Sequence, residues 1–188
     1  MSLPERYALR PMTEADLPQV LAWRNSERVR QCMFTDRAIT WEEHRAWWER
    51  THASSSASHR IFEQDGMPVG VVNFTEVDRV SGTCEWGFYV GPADAPRGSG
   101  TRMGVLALDH AFGPLGVRKV CARVLGANAV SHAYHRKLGF VEEGRLQRQV
   151  RRNHAFEDVL LYALFAEDWT QARSRLAHAY LGEGEVST

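Results

Sequence analysis

The chain has 188 residues, enough for one domain with its own core, since domains run to roughly 100–200 residues. Its hydrophobic fraction of 44% and charged fraction of 24% are those of an ordinary globular protein. Lysine plus arginine equals aspartate plus glutamate at 23 each, so no global field draws the chain to nucleic acid or to a membrane surface.

In chain order, Arg6 to Met12 alternate and predict a first strand. Thr13 with Asp16 three residues on starts a helix carrying Leu17, Val20, Leu21 and Arg24 at helical spacing. Thr40 with Glu43 is a full capping box for a second helix with His44, Trp47 and Trp48. The arginine-rich connection from Asn25 to Ile39 is long, and such connections are more often functional than idle. His59 to Glu63 and Val69 to Phe74 read as strands around an Asp65-Gly66 hairpin turn, and Thr83 to Val90 as the next strand. A turn-rich loop from Ala95 to Gly100 runs into a helix from about Thr101 to Phe112. Val117 to Leu125 is a β-branched strand, and Asn128 to Leu138 a helix stopped by Gly139. Phe140 opens a strand, Asp158 to Phe165 form the last one, and Glu167 to Leu181 a polar C-terminal helix. There are no repeats or linkers, so one domain is expected over residues 1–182, with a flexible tail at 183–188.

Cys32, Cys84 and Cys121 lie far apart without C-x-x-C pairing, which argues against a zinc site or a disulfide framework. No stretch approaches the roughly 20 apolar residues of a membrane span. The opening MSLPERYALRP carries charges where a signal peptide needs an apolar run, so a cytoplasmic protein is expected.

The informative segment is the strand–loop–helix junction from Cys84 to Phe112. Free N–H groups and the dipole of a helix start make an anion site. Gly98 and Gly100 let a phosphate approach the backbone, and Arg97 and Arg102 add positive charge, so a pyrophosphate is the expected guest. The loop lacks the G-x-x-x-x-G-K-[ST] of a P-loop and the full G-x-G-x-x-G of a dinucleotide site. Taken alone, a G-x-G also fits a plain tight turn.

Arg97-Gly98-Ser99-Gly100-Thr101-Arg102 resembles the acetyl-CoA loop of the GNAT superfamily, Q/R-x-x-G-x-G/A, with Arg102 where a final Gly or Ala is usual. The run from Asn128 through Ser131, His135 and Lys137 to Gly139-Phe140 resembles that superfamily's second cofactor segment, N-x-x-S-x-x-x-x-x-K-L-G-F. The resemblance covers essentially the whole chain. It implies an α/β (α+β) GNAT fold, with a mixed sheet of about seven strands, a splayed cofactor-binding strand and flanking helices. It also implies an N-acetyltransferase using acetyl-CoA and no metal. By that resemblance Phe88, Tyr89 and Val90 hold the pantetheine arm, and the amides of Gly98, Ser99, Gly100, Thr101, Arg102 and Met103 hold the pyrophosphate. Asn128 and Ser131 then lie near the arm, and Arg136 or Lys137 near the phosphates of the adenosine part.

Acetyl transfer needs a neutral amine and a proton for the departing thiolate, whose thiol has a pKa of about 8.5. The family's acid stands five residues before the Phe of the G-F pair, which here is His135. Tyr134 is its neighbour, about 100° around the helix. Register favours His135, either residue suits the chemistry, and either also suits packing. Glu85 is the candidate base, sharing a strand face with Gly87 and Tyr89, while a structural ion pair fits it nearly as well. Cys84 has no evident activating partner, and direct transfer needs no covalent step.

Trp23-Arg24-Asn25, Glu42-Glu43-His44 and the later C-E-x-G-x-Y resemble the N-acetyltransferases of the pseudaminic acid pathway. Those enzymes acetylate the 4-amino group of a UDP-linked 4-amino-4,6-dideoxy sugar. The resemblance implies an acceptor pocket built from Trp23, Arg24, Asn25, Met33, His44 and Trp47. Arginines and His44 would hold a diphosphate, and Trp and Met a base and a deoxy sugar. By spacing alone, at least two of Trp23, Trp47 and Trp48 suit the core. The N-x-x-S…K-L-G-F segment and the Glu143-to-Asp158 ending also resemble ribosomal-protein (Rim-type) Nα-acetyltransferases, whose acceptor is a protein N-terminus. The arginines between Arg24 and Arg37 favour the sugar. A non-catalytic acyl-CoA-binding module would keep the loop without the proton handlers. Arg145, Arg148, Arg151 and Arg152 read as a solvated strand face rather than a nucleic-acid surface. A homodimer is left open.

Overall fold

The computed structural model describes residues 6–152 and 154–182, so the tail expected at 183–188 lies outside the described residues. The strands are β1 (Tyr7–Pro11), β2 (Ser58–Gln64), β3 (Met67–Asp78), β4 (Thr83–Val90), β5 (Lys119–Leu125), β6 (Val141–Arg152) and β7 (Ala155–Phe165). They form one mixed sheet in the order β1-β2-β3-β4-β5-β7-β6. The helices are α1 (Leu17–Asn25), α2 (Glu27–Arg30), α3 (Trp41–Thr51), α4 (Ser99–Phe112), α5 (Ala129–Leu138) and α6 (Ala166–Leu181).

Local chemistry sets most boundaries. Thr40 Oγ1 accepts the Glu43 N–H at 3.2 Å, and the Glu43 carboxylate accepts the Thr40 N–H at 2.9 Å, which closes the start of α3. Thr13 and Asp16 form the same box on a 3₁₀ turn ahead of α1. Asp65 and Gly66 both have positive φ, 53° and 76°, the conformation of a tight hairpin turn between β2 and β3. Gly139 ends α5 at φ 98°. Within the connection from Asn25 to Ile39, Glu27–Arg30 forms α2. Three readings need correction. The helix after the glycine loop begins at Ser99, and the last strand begins at Ala155 rather than Asp158. Arg152 is not on a solvated face: it is 7% exposed, and its Nη2 donates to the Gln31 carbonyl at 2.9 Å.

Period-two alternation divides the interior by sheet face. Cys84 and Trp86 of β4 enter a large core with Met103 and Leu108 of α4, Leu138 of α5 and Trp169 of α6. On the other face Leu17 and Val20 of α1 pack on Ile61 and Val71, with Trp23, Trp47, Trp48 and Tyr89 against them. Among the described residues no helix is long and apolar enough to cross a membrane.

The sheet opens at its centre. Strands β4 and β5 are parallel and pair only at Thr83–Lys119, Cys84–Val120 and Glu85–Cys121. Beyond that point β4 is held by β3 alone and β5 by β7 alone. The Gly91 N–H donates to the Val69 carbonyl at 2.8 Å, so odd-numbered residues of β4 face β3. By the same alternation the backbone groups of Phe88 and Val90 turn into the cleft.

Candidate active site

The cleft leads to the start of α4. Gly98 caps that helix at φ 87°, a conformation that favours glycine. The N–H groups of Gly100 and Thr101 lie in the first turn, where no intrahelical acceptor exists. Arg97 is exposed beside them. Lys137 of α5 donates from Nζ to Thr101 Oγ1 at 2.9 Å and to the Tyr180 hydroxyl at 2.6 Å, which brings a cation to the helix start. Other parts of the loop are committed elsewhere. The Ser99 hydroxyl donates to Gln64 Oε1 and the Pro96 carbonyl. The Arg102 N–H donates to the Gly98 carbonyl at 3.0 Å, and Met103 lies deeper in the helix and is buried. The Arg102 guanidinium turns back to the carbonyls of Tyr180 and Arg97, over the Tyr7 ring. Of the amides the motif implies, those of Ser99 and Arg102 are bonded to the Pro96 and Gly98 carbonyls, and those of Gly100 and Thr101 have no helical acceptor.

Asn128 caps α5, its Oδ1 accepting the Ser131 N–H at 3.0 Å. Further along that helix Tyr134 and His135 both pack on Phe88, with ring centroids 4.8 and 5.7 Å away. Their environments differ. His135 is 2% exposed, with Nδ1 bonded to the Ser131 carbonyl at 2.8 Å and Nε2 accepting the Trp86 indole N–H at 3.3 Å. Burial lowers its pKa to about 4, so the ring is neutral at pH 7 and its one proton is committed. Tyr134 donates its hydroxyl to the Gly100 carbonyl at 2.6 Å, and burial raises its pKa, so that proton stays in place.

Across the strand lies a cavity of about 580 Å³ between α1, α3 and the sheet, reached by Gly87, Phe88 and Tyr89 of β4. Of the residues expected there, Arg24, Met33, His44 and Trp47 line it. Trp23 instead packs under the Gly91 backbone, which leaves no room for a Cβ at Gly91. Asn25 is spent on both backbone groups of Ile39, each at 2.8 Å. The Tyr89 hydroxyl is buried against the Val20 carbonyl. Glu85 sits at the last pair of the seam, two residues before Gly87 on the same face. Burial raises its pKa, opposed by Arg123 and reinforced by Glu76. Cys84 is buried with its thiol pushed up to about 12, unsuited to nucleophilic attack.

Sequence reading missed several residues. Arg50, His59, Asn73 and Thr75 line the cavity, and His59 is fixed by Asn73 Oδ1 at 2.8 Å and Thr51 Oγ1 at 2.9 Å. Arg28 donates from Nη2 to the carbonyls of Val90 and Gly91 at 2.9 and 2.7 Å, which ties off the free end of β4. No local motif marks these positions: His59 meets Asn73, and Arg28 meets Val90, far along the chain. Among the described residues no group of three or more His, Cys, Asp or Glu side chains is placed to hold a metal.

One strand thus separates a cleft with an anion seat at its mouth from an acceptor-sized cavity, the arrangement of a two-substrate group transferase. The chain belongs to the acetyltransferase (GNAT) domain family, which matches residues 6–141. It is an acetyl-CoA-dependent N-acetyltransferase. Among curated proteins it is similar to the spermidine N(1)-acetyltransferase of Escherichia coli K12, 26% identical over 161 residues, 86% of this chain and 87% of that one. It is also similar to the acetyltransferase PseH of Campylobacter jejuni, 30% identical over 81 residues, 43% and 50% of the two chains. The spermidine N-acetyltransferase of Vibrio cholerae, solved with CoA and spermine, superposes with a TM-score of 0.82 at 19% identity, covering 88% of this chain and 98% of that one. Mycobacterium smegmatis RimJ, solved with CoA-disulfide, superposes at 0.77 with 22% identity, covering 92% and 88%. At those identities the solved structures speak for the fold.

Proposed function

We propose that the acceptor is a primary amine carried on an anionic small molecule, a nucleotide-linked (UDP) amino-deoxy sugar acetylated at its 4-amino group. The charge of the acceptor cavity carries this reading. Its wall holds Arg24, Arg37 and Arg50 against one carboxylate, Glu43, which is already paired with Arg37. A polycation would meet net repulsion there, whereas phosphates would find guanidinium donors.

In this reading acetyl-CoA supplies an activated thioester carbonyl. Phe88 offers the arm its N–H and carbonyl, and Val90 its N–H, the Val90 carbonyl being taken by Arg28, as a missing strand would. The Gly100 and Thr101 amides, with Arg97 and Lys137 nearby, hold the pyrophosphate. Glu85 takes the amine proton, directly or through a water, and its raised pKa brings it nearer to that task. Tyr134 keeps its proton at working pH and, on leaving the Gly100 carbonyl, gives it to the departing thiolate. His135 orients α5 against Trp86 instead of donating. A cytoplasmic location and a single domain over residues 1–182 belong to the same reading.

Purified protein with acetyl-CoA and a panel of amines, followed by CoA release, tests it. Turnover is expected on a UDP-4-amino sugar and not on spermidine. Turnover on spermidine alone would overturn the anionic acceptor. Turnover on a ribosomal N-terminal peptide alone would move the substrate to a protein N-terminus. Acetyl-CoA binding without turnover of any amine would favour a binding module.

A further inference from the structure

Two buried nitrogens on the wall of the acceptor cavity have no hydrogen-bond partner among the described residues. Arg24 gives Nη2 to the Thr35 carbonyl at 2.8 Å and keeps a buried Nη1 unpaired. His44, 6% exposed, is hydrogen-bonded to the Leu17 backbone and keeps a buried Nε2 unpaired. Both side chains line the same cavity, within electrostatic reach of each other. Buried polar groups in folded proteins are almost always satisfied, so two orphans on one cavity call for a guest.

Their chemistry is complementary. The bond to Leu17 falls on Nδ1, since Nε2 has none, and a carbonyl partner places the proton there. Nε2 then carries a lone pair and can only accept, while Arg24 Nη1 can only donate. An anion would suit Arg24 and be repelled by the His44 lone pair. Protonating His44 would relieve that, but burial holds its pKa below the ordinary value. A carbonyl oxygen beside an N–H suits both.

We propose that Arg24 and His44 together read the imide edge of a uracil-type base, whose carbonyl accepts from Arg24 Nη1 while its ring N–H donates to His44 Nε2. The inference rests on the nucleotide-sugar reading above and orients that substrate. With the base on Arg24 and His44, Arg37 and Arg50 of the same lining are left for the phosphates. Trp47 stacks on the His44 ring with centroids 5.2 Å apart and planes 19° apart, which fixes the imidazole, and Met33 and Ile39 offer apolar contact for the base. An N-acyl substituent on the sugar presents a similar amide edge, and the test separates it.

Calorimetry of the full chain with UDP, CDP, 3-methyl-UDP and N-acetylglucosamine is the experiment. Cytosine offers an amino donor and a bare ring nitrogen in place of the imide, and 3-methylation removes the ring N–H. UDP is expected to bind about tenfold or more tighter than CDP and 3-methyl-UDP, the order of one buried hydrogen bond left unmade. His44→Ala should erase that preference with CoA affinity retained, and His44→Gln, which keeps an acceptor, should restore part of it. Equal binding of UDP and CDP, or a preference that survives His44→Ala, would overturn the inference and leave the nucleotide acceptor standing. Binding of N-acetylglucosamine but of no nucleotide would assign the edge to an acyl group and overturn the uracil reading. No nucleotide binding together with turnover of spermidine or peptide would remove the nucleotide-sugar reading itself. The UDP against 3-methyl-UDP comparison needs no variant, so a misfolded His44→Ala cannot decide the result.

Discussion

Tyr134 and His135 are sequence neighbours with opposite fates. The motif's register points to His135, yet both ring nitrogens of that residue are occupied and its charge is suppressed. Tyr134→Phe is therefore expected to lower kcat by about 10²-fold or more, and His135→Asn by less, measured as CoA release at saturating acceptor. The opposite order would return the proton to His135. Glu85 must be deprotonated to act, and its pKa is raised. Activity should fall as pH drops through that raised value, and Glu85→Gln should lose both about 10²-fold in rate and the acidic limb of kcat/KM. An unchanged pH profile would leave Glu85 a structural carboxylate. At this scale the sequence shows what a side chain can do, not whom it meets. Asn25, Ser99 and Arg102 have the right chemistry for a ligand, but Ile39, Gln64 and Tyr180 claim them, 14 to 78 residues away in the chain.

Elements touch where the chain leaves out a side chain. A Cβ at Gly104 of α4 would collide with the Tyr134 hydroxyl and press on Leu138, so α5 lies on α4 only because residue 104 is glycine. Gly104→Ala should cost about 1–3 kcal/mol in urea unfolding, as overpacking does, and displace Tyr134, with kcat falling alongside. Gly100 differs. A Cβ there meets only Val90 and Tyr134 at 3.7 and 3.9 Å, ordinary contact. Gly100→Ala should fold normally, whereas Gly100→Asp should fold and lose acetyl-CoA binding, because it sets a carboxylate on the anion seat. Retained micromolar affinity in the aspartate variant would displace the cofactor from this helix start. Caps and hairpin turns such as Thr40–Glu43 and Asp65-Gly66 were legible because their partners lie within a few residues. The one-turn α2 and the extent of the β6–β7 hairpin were not, since tertiary contacts such as Arg152 with Gln31 help hold them.

For the molecule as a whole, buried neutral histidines set the acid limit. His44, His59 and His135 all have lowered pKa values, chiefly through burial. The unfolded chain takes up protons near pH 6.5 and the folded one does not, so stability is complete above that pH and is lost as pH falls toward 4. His135 alone accounts for roughly 3 kcal/mol over that window. Denaturant midpoints measured from pH 7 to pH 4 should fall accordingly, and a flat profile would contradict the buried, neutral state. The order of strands and helices was readable from periodicity, and the family resemblance supplied the splay. The length of the β4–β5 ladder was not readable, because no residue in either strand marks where pairing stops. That ladder has a further consequence. A ladder of three residue pairs joins the four-strand flank of the sheet to the three-strand flank. A cosubstrate lying in the opening would lengthen that seam, and bound acetyl-CoA would then act as a strut between its halves. Its cellular concentration then sets resistance to heat and proteolysis, by about 2.7 kcal/mol at a hundredfold excess over Kd, and a cell short of acetyl-CoA would hold a more fragile enzyme.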